Sequence, residues 1–410
     1  MNTTEINQIL QETAYIRTAG SKDEHRCGEY LRGRCADLGL QTTAEPFALN
    51  MATIHEAVLT VDGQEIPCKG YLRGGCGEVE AEIYYLTNTD PGSISCCKGK
   101  IVLFDGVMRS WIYKDLLAAG AVGFISYDGN VFYDDCDIDQ KEIWDHIYTE
   151  DRIPGVHIHA KSAVSLVRSG AKTAKIRLRQ DEYVGESRNI ILELPGETDE
   201  WIVLTAHYDS TSLSIGAYDN MTGCIALLSL AEKFAKEPHR RGLRFIWCGA
   251  EERGLKGSRA YCAAHEEALK NVVMNVNLDM IGSLMGKFVA RCTAEEKLVH
   301  YVQYFAAEHG KGIDVSQSIS SSDSASFSDK GVPSVSFCRF APPNTASFHN
   351  RYDTALLVSP DRLADDISFV ACFLHRMVNA VYFPVAREIP GNMKEKLDYY
   401  FFRKRDPATM

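Results

Sequence analysis

The chain has 410 residues, a formal net charge of −11, and is 45% hydrophobic and 24% charged. A length beyond the roughly 250–300 residues at which a single core stops growing predicts two domains, or one with a large insertion, and the ordinary composition argues against disorder outside the tails. The acidic balance argues against nucleic acid or an anionic membrane as partner, and no apolar run approaches the ~18 residues of a membrane span.

The first residues, "MNTTEINQILQETAYIRTAGSKDEH", show no basic start followed by an apolar core, so a cytoplasmic location is expected. Thirteen cysteines, an odd number scattered through apolar contexts such as "FIWCG" and "TGCIALL", suit reduced buried thiols rather than a disulfide framework, and the adjacent Cys96 and Cys97 read as two ordinary thiols. Oligomeric state is not readable from these features.

Ile6, Ile9 and Leu10, then Tyr30, Leu31, Cys35 and Leu38, recur at helical spacing and end at "LGL". From about Glu45 short strand-like runs appear, "EAVLTV", "EIYYL" and "KIVLFDG", separated by Gly, Pro, Asn and Asp. A helix-like "WIYKDLLAAGA" leads to "VGFISYDG", an acidic stretch and "IPGVHIHAKSAVSLVRSG". From Asn189 apolar strands alternate with amphipathic helices: "NIILELPG", "WIVLTAHYD", "TGCIALLSLAEKFAK", "LRFIWCGA", "GLKGSRAYCAAHEEAL", "VVMNVNLDMIG", "EEKLVHYVQYFAAEHG", "VPSVSFCRF" and a long helix from about Pro360. Runs apolar on both faces and joined by helices predict an α/β fold with a mostly parallel central sheet and helices on both sides, which collects ligands beyond the strands' carboxyl ends.

Those ends carry chemistry. "WIVLTA" finishes in His207 and Asp209, "LRFIWCGA" in Glu251 and Glu252, "VVMNVNL" in Asp279; "GAYDNMTG" places Asp219 before a helix and "SFHNRYDT" places His349 in a loop. Imidazole and carboxylate donors without thiolate suit zinc, with cobalt or manganese as substitutes. Five candidate ligands, His207, Asp219, Glu252, Asp279 and His349, exceed one open tetrahedral site but fit two ions sharing a carboxylate, an arrangement that activates water for hydrolysis. Adjacent side chains at a strand end diverge, so Glu252 is assigned as ligand and Glu251 as general base and acid, and Asp209 as the partner orienting His207.

The motifs "HYDS", "GAYDN", "GAEERGLKGS", "NLDMIG" and "HNRYDT", with "SSDSASFSDKGVPSV" as a substrate-pocket segment, resemble the co-catalytic zinc aminopeptidase family of metallopeptidases from about Asn189 to Pro384. "RTAGSKDEHRCGEYLRGRCADLGL" is similar to that family's first helix. The resemblance implies that Asp219 bridges two zinc ions, with His207 and Asp279 completing one site and Glu252 and His349 the other, that Glu251 is the base, and that the Asp219–Asn220 peptide is cis. The segment 49–185 resembles a protease-associated domain inserted into a zinc peptidase domain formed by 1–48 and 186–388; residues 389–410 stay unplaced.

Two positions depart from the family. Many relatives have Tyr where this chain has Phe348, which offers no donor to a developing oxyanion, and often His after Asp323, where this chain has Ser324. His157 and His159 on alternate positions of "GVHIHA" read as exposed strand histidines, and "YDDCDIDQKE" as a solvated acidic turn rather than a calcium loop. The expected function is a metal-dependent exopeptidase removing amino-terminal residues from short peptides. The alternatives are a carboxypeptidase or dipeptidase on the same framework and a glutaminyl cyclase-like acyltransferase.

Overall fold

A computed structural model describes residues 1–108, 110–132, 137–343 and 345–406. They form two compact units: Met1–Leu49 with Glu186–Tyr400, and Asn50–Gly185 with the residues from Phe401 onward.

Two helices open the chain, α1 (Thr3–Glu12) and α2 (Lys22–Asp37). Polar caps start both: Asn2 accepts from the Thr4 and Glu5 amides while Glu5 accepts from that of Asn2, and Ser21 accepts from the Glu24 amide. Strands β1 (Thr42–Val61) and β2 (Gln64–Ile66) pair antiparallel across Asp62 and Gly63, whose φ values of 45° and 84° are those a two-residue hairpin requires.

The second unit continues with β3 (Lys69–Gly70), β4 (Gly77–Tyr85), α3 (Pro91–Ser95), β5 (Ile101–Asp105), α4 (Ser110–Ala119), β6 (Gly123–Asp128), β7 (Gly155–His159), α5 (Ala160–Ser169) and the first part of β8 (Thr173–Leu194). Strands β4 to β7 run parallel in chain order, with β8 antiparallel on β4 and β3 antiparallel on β7. Along β5, Val102 and Phe104 enter one apolar cluster while Ile101 and Leu103 enter another, so both faces of the sheet are covered. For the same reason His157 and His159 are not exposed, as their alternation suggests, but buried at 0% and 1%. His157 is satisfied there, with Nδ1 2.7 Å from the Ser126 hydroxyl and Nε2 2.9 Å from the Asp128 carboxylate, and His159 accepts from the Lys161 amide at the start of α5. Of the acidic turn, residues 133–136 lie outside the described residues; beyond them the Lys141 ammonium lies 2.8 Å from Asp128 and 2.9 Å from Asp139.

The first unit resumes at the end of β8 and adds β9 (Trp201–His207), α6 (Thr222–Phe234), β10 (Gly242–Cys248), α7 (Lys256–Ala264), β11 (Val272–Leu278), β12 (Lys287–Thr293), α8 (Glu296–Glu308), β13 (Asp314–Gln317), α9 (Ser324–Asp329), β14 (Ser334–Phe340), α10 (Pro360–Asn379) and α11 (Gly391–Tyr400). Strand order is β13-β12-β14-β11-β9-β10-β8. The centre, β14-β11-β9-β10, is parallel; it is flanked by antiparallel pairings of β12 on β14 and β8 on β10. Ile202, Leu204, Ala206, Leu243, Phe245 and Trp247 face a core shared with α1, α2, α6, α8 and α10, while Val203, Ile246 and Cys248 face α7 and α9. This period of two with both faces buried explains why each strand is a continuous apolar run. It also brings the ends of β9, β10 and β11 to one rim.

Candidate metal centre

The rim is built by three parallel strands and two loops. His207 is the last residue of β9, the turn Gly249-Ala250-Glu251-Glu252 leaves β10, and Asp279 follows β11. Asp219 lies in a short irregular turn, Ala217–Met221, before α6, and its peptide bond to Asn220 is cis. His349 follows β14 in a loop, at a φ of 61°.

The structure brings all of these side chains together. Asp219 Oδ1 is 3.0 Å from His207 Nε2, and Asp279 Oδ1 is 3.6 Å from the same nitrogen. Asp219 Oδ2 is 3.1 Å from His349 Nε2, which is itself 3.1 Å from Glu252 Oε2. Glu251 Oε2 is 4.0 Å from His207 Nε2, so the adjacent glutamates diverge, one toward each imidazole. Two triads result, His207–Asp219–Asp279 and Asp219–Glu252–His349, with Asp219 in both; Glu251 and Glu252 also form a triad with His207.

This donor set fits a divalent cation. Ligands about 2.0–2.2 Å from a tetrahedral ion lie roughly 3.3 Å from one another, close to the 3.0–3.6 Å between the imidazoles and carboxylates of the two triads that share Asp219. Glu252 Oε1 and Asp279 Oδ1 are buried without a hydrogen-bond partner among the described residues, an arrangement that burial penalises unless a cation compensates it. Burial pushes the Glu252 carboxyl up to about 7 despite His349 beside it, and pushes Glu251 well above the usual carboxylate range, with His207 opposing and Glu252 adding to the rise. Asp219 is held below that range, because its contacts to both imidazoles overcome the effect of burial.

The support beneath the donors is equally ordered. Asp209 Oδ1 lies 3.5 Å from His207 Nδ1, and its two oxygens also accept from the Glu251 amide at 2.9 Å and the Glu252 amide at 3.2 Å. Glu24 on α2, fully buried, accepts from the neighbouring Ala250 amide at 3.0 Å, from Gly20 at 2.6 Å and from the Ser187 hydroxyl at 2.7 Å. Two carboxylates thus hold three consecutive amides of a turn whose Ala250 has a φ of 53°. Burial first, and then the Asp209 charge, raise Glu24 to about 8.

Asp353 accepts from the Tyr218 amide at 2.7 Å and the Asp219 amide at 3.1 Å, fixing the turn that presents Asp219. Asn220 donates to the Leu278 carbonyl at 2.9 Å and accepts from Met280 at 3.1 Å, tying that turn to the segment bearing Asp279. Gly223 is needed at the crossing, since a Cβ there would stand 2.3 Å from the Leu278 carbonyl oxygen. The buried guanidinium of Arg17 donates to the carbonyls of Tyr208, Ile215 and Gly216, closing the loop after β9. Sequence reasoning passed over Glu24, Arg17, Asp353 and Asn220 as functional residues. A usable signal was present for two of them, the charges of "RTAGSKDE" inside the segment that resembled the family's first helix.

A parallel α/β sheet with a carboxylate spanning two imidazoles at its carboxyl rim defines the class of centres that can hold two divalent cations. Residues 189–371 match the model of peptidase family M28. Aminopeptidase YwaD of Bacillus subtilis (strain 168) is 30% identical over 264 residues, 61% of this chain and 56% of the relative. A probable lipoprotein aminopeptidase, LpqL, of Mycobacterium tuberculosis is 30% identical over 192 residues, 45% of this chain and 37% of the relative. The chain thus aligns with 56% or less of the length of these two curated relatives. Among solved structures, the zinc aminopeptidase BSAP from Bacillus subtilis superposes with a TM-score of 0.78 at 22% identity, covering 96% of this chain and 99% of that one. The aminopeptidase from Aneurinibacillus sp. strain AM-1 gives 0.75 at 21% identity, covering 94% and 96%. These two likenesses establish the shared fold.

Proposed function

We propose that the protein is a metal-dependent aminopeptidase that holds two divalent ions, zinc foremost with cobalt or manganese as substitutes, and hydrolyses the first peptide bond of short peptides. The observation that carries the reading is Asp219, whose two oxygens face His207 and His349 at 3.0 and 3.1 Å while Asp279 and Glu252 complete the two triads. His207, Asp219 and Asp279 would hold one ion, and Asp219, Glu252 and His349 the other; such a pair, when bound, polarises the scissile carbonyl and lowers the pKa of water. The family match over residues 189–371 and the aminopeptidase relatives support the same reaction.

The chain's own residues supply the proton chemistry. Glu251, set apart from the two triads that share Asp219, takes the proton of the attacking water and returns it to the departing amine. Asp209 and Glu24 fix the turn so that Glu251 faces His207 while Glu252 faces His349. The carboxylates of this rim also suit a substrate's terminal ammonium, which favours cleavage from the amino end. Phe348, 47% exposed, brings no hydroxyl to the centre. The unit Asn50–Gly185 is read as a protease-associated domain, on the basis of its sequence motifs.

The test is product analysis by mass spectrometry after zinc-loaded protein meets free, amino-acetylated, carboxy-amidated and Gln-initiated peptides. Stepwise loss of amino-terminal residues, blocked by acetylation and by chelator, is expected. Trimming from the carboxyl end, or an ammonia-sized loss from the Gln peptide alone, would replace the reading with carboxypeptidase or cyclase.

A further inference from the structure

Below the rim, the face of the sheet that bears the donors is crossed by side-chain hydrogen bonds. Strands β9 and β11 run parallel, with Asn275 beside Val203 and Asn277 beside Thr205, and Thr205–Asn277 is the last pair of that register. Side chains two residues apart on a strand share a face, so this pair stands one step beneath His207 on β9 and Asp279 just after β11. The Thr205 hydroxyl donates to Asn277 Oδ1 at 2.7 Å and accepts from Asn275 Nδ2 at 3.1 Å. Asn277 Nδ2 donates in turn to the Ser322 hydroxyl at 2.8 Å, just ahead of α9. Thr205 and Asn277 are wholly buried and Ser322 is 1% exposed, so no solvent stands ready to replace a lost partner.

Resting on the two-ion reading of the site, we infer that Thr205 and Asn277 are positioning residues for the His207 half of the centre: their bond sets the separation of His207 and Asp279, and Ser322 braces it from the side of α9. Backbone pairing of β9 with β11 ends at this rung. Above it each strand pairs with its other neighbour, β9 with β10 as far as His207 and Cys248, and the Asp279 amide with the Phe337 carbonyl at 3.2 Å. The Thr205–Asn277 bond therefore ties the two strands at the last paired position below donors that stand 3.6 Å apart, close to the spacing that two ligands of one ion require. The polarity of the chain is fixed too: with Asn275 donating to it, the Thr205 hydroxyl directs its own hydrogen at Asn277 Oδ1, and this turns Asn277 Nδ2 toward Ser322. Glu252 and His349 come from the turn after β10 and the loop after β14, elements that the rung does not join, so a change in it falls on one ion rather than on both.

The test is zinc titration against a chromophoric chelator in two backgrounds, Asp279→Ala, which leaves Glu252 and His349 in place, and His349→Ala, which leaves His207 and Asp279, with melting temperature measured beside it. Thr205→Val keeps the shape of the side chain and removes its hydroxyl. In His349→Ala it is expected to weaken zinc about 3- to 10-fold, below the roughly 10- to 100-fold of a partner bonded to a ligand directly, and in Asp279→Ala to change it less than about twofold. Ser322→Ala, milder for the fold, should show the same preference more weakly. Ser328→Ala, which cuts the 2.8 Å bond of α9 to Ser334 on β14, should lower stability without favouring either half. Equal weakening in both backgrounds, no weakening in His349→Ala, or the same bias from Ser328→Ala makes the rung part of the general scaffold and overturns the inference. Wild type that takes up fewer than two zinc ions sinks the two-ion reading and the inference with it; two ions with an unbiased Thr205→Val refute the inference alone.

Discussion

Asp219 faces His207 through one carboxylate oxygen and His349 through the other, at 3.0 and 3.1 Å, so one side chain belongs to both halves of the centre. Replacing it by Ala should therefore empty both halves together. Metal analysis after dialysis against buffer at low zinc is expected to find Asp219→Ala close to metal-free, with each ion bound at least about 100-fold more weakly, while Asp279→Ala weakens chiefly the His207 half. Retention of two tightly held ions by the Asp219 variant would contradict the shared-ligand assignment.

Glu251 and Glu252 are neighbours in the chain but not in role, since Glu252 Oε2 stands 3.1 Å from His349 and Glu251 Oε2 stands 4.0 Å from His207. Glu251→Gln keeps the side chain's size and hydrogen bonding while removing the proton carrier. Turnover is expected to fall about 10²–10⁴-fold with metal content unchanged. Glu252→Gln should instead lose metal, and metal analysis beside steady-state rates separates the two.

The parts of this centre that could be read from sequence are those that continue a regular element. His207, Glu251, Glu252 and Asp279 follow apolar runs buried on both faces, and an abrupt change from apolar to acidic at the end of such a run locates the rim. Glu24 could not be read that way: it sits on a largely polar helix, and its partner Ala250 is 226 residues away. Arg17, which reaches the carbonyls of residues 208–216, and Asp353, which binds the Asp219 turn, serve the backbone rather than the reaction and leave no periodic trace. In the second unit, alternation was misleading because β7 is covered on both faces, so His157 is buried and satisfied by Ser126 and Asp128. In α11 the buried stripe of Met393 and Leu397 is too short to signal from sequence that the helix packs inward.

Removing Glu24 tests the support of the rim. Glu24→Ala strips an acceptor from the Ala250 and Gly20 amides and from the Ser187 hydroxyl in a buried setting, a loss of about 2–4 kcal/mol in denaturant unfolding, with turnover reduced beyond what metal content explains. The pH dependence has a definite sign. Glu24 is raised to about 8 by burial and by Asp209, so the folded chain keeps a proton that the unfolded chain releases near pH 4.5. Its contribution is full below that pH and is lost as pH rises through about 8. Melting temperature of the metal-free protein should fall over this window, and part of that fall should vanish in Glu24→Gln.

The last prediction joins metal and proton. Without an ion, burial works against a charged His349, but Glu252 and Asp219 outweigh it and lift the imidazole to about 11, while burial lifts Glu252 to about 7 against His349. At neutral pH the free site therefore carries a proton on His349 and part of one on Glu252. A bound cation requires a neutral imidazole and an ionised carboxylate, so its arrival expels those protons. Because the free form holds more protons than the loaded form, raising the pH favours loading: zinc affinity should climb from pH 6 to 8 by about one decade per unit for each proton released. Calorimetric titration in buffers of different ionisation enthalpy reads that number directly. His349→Ala should reduce it, whereas His25→Ala, which changes a half-buried imidazole on α2, should not. A zinc affinity flat across this range would mean that His349 and Glu252 are not displaced from one another by the ion, and would remove them from the ligand set.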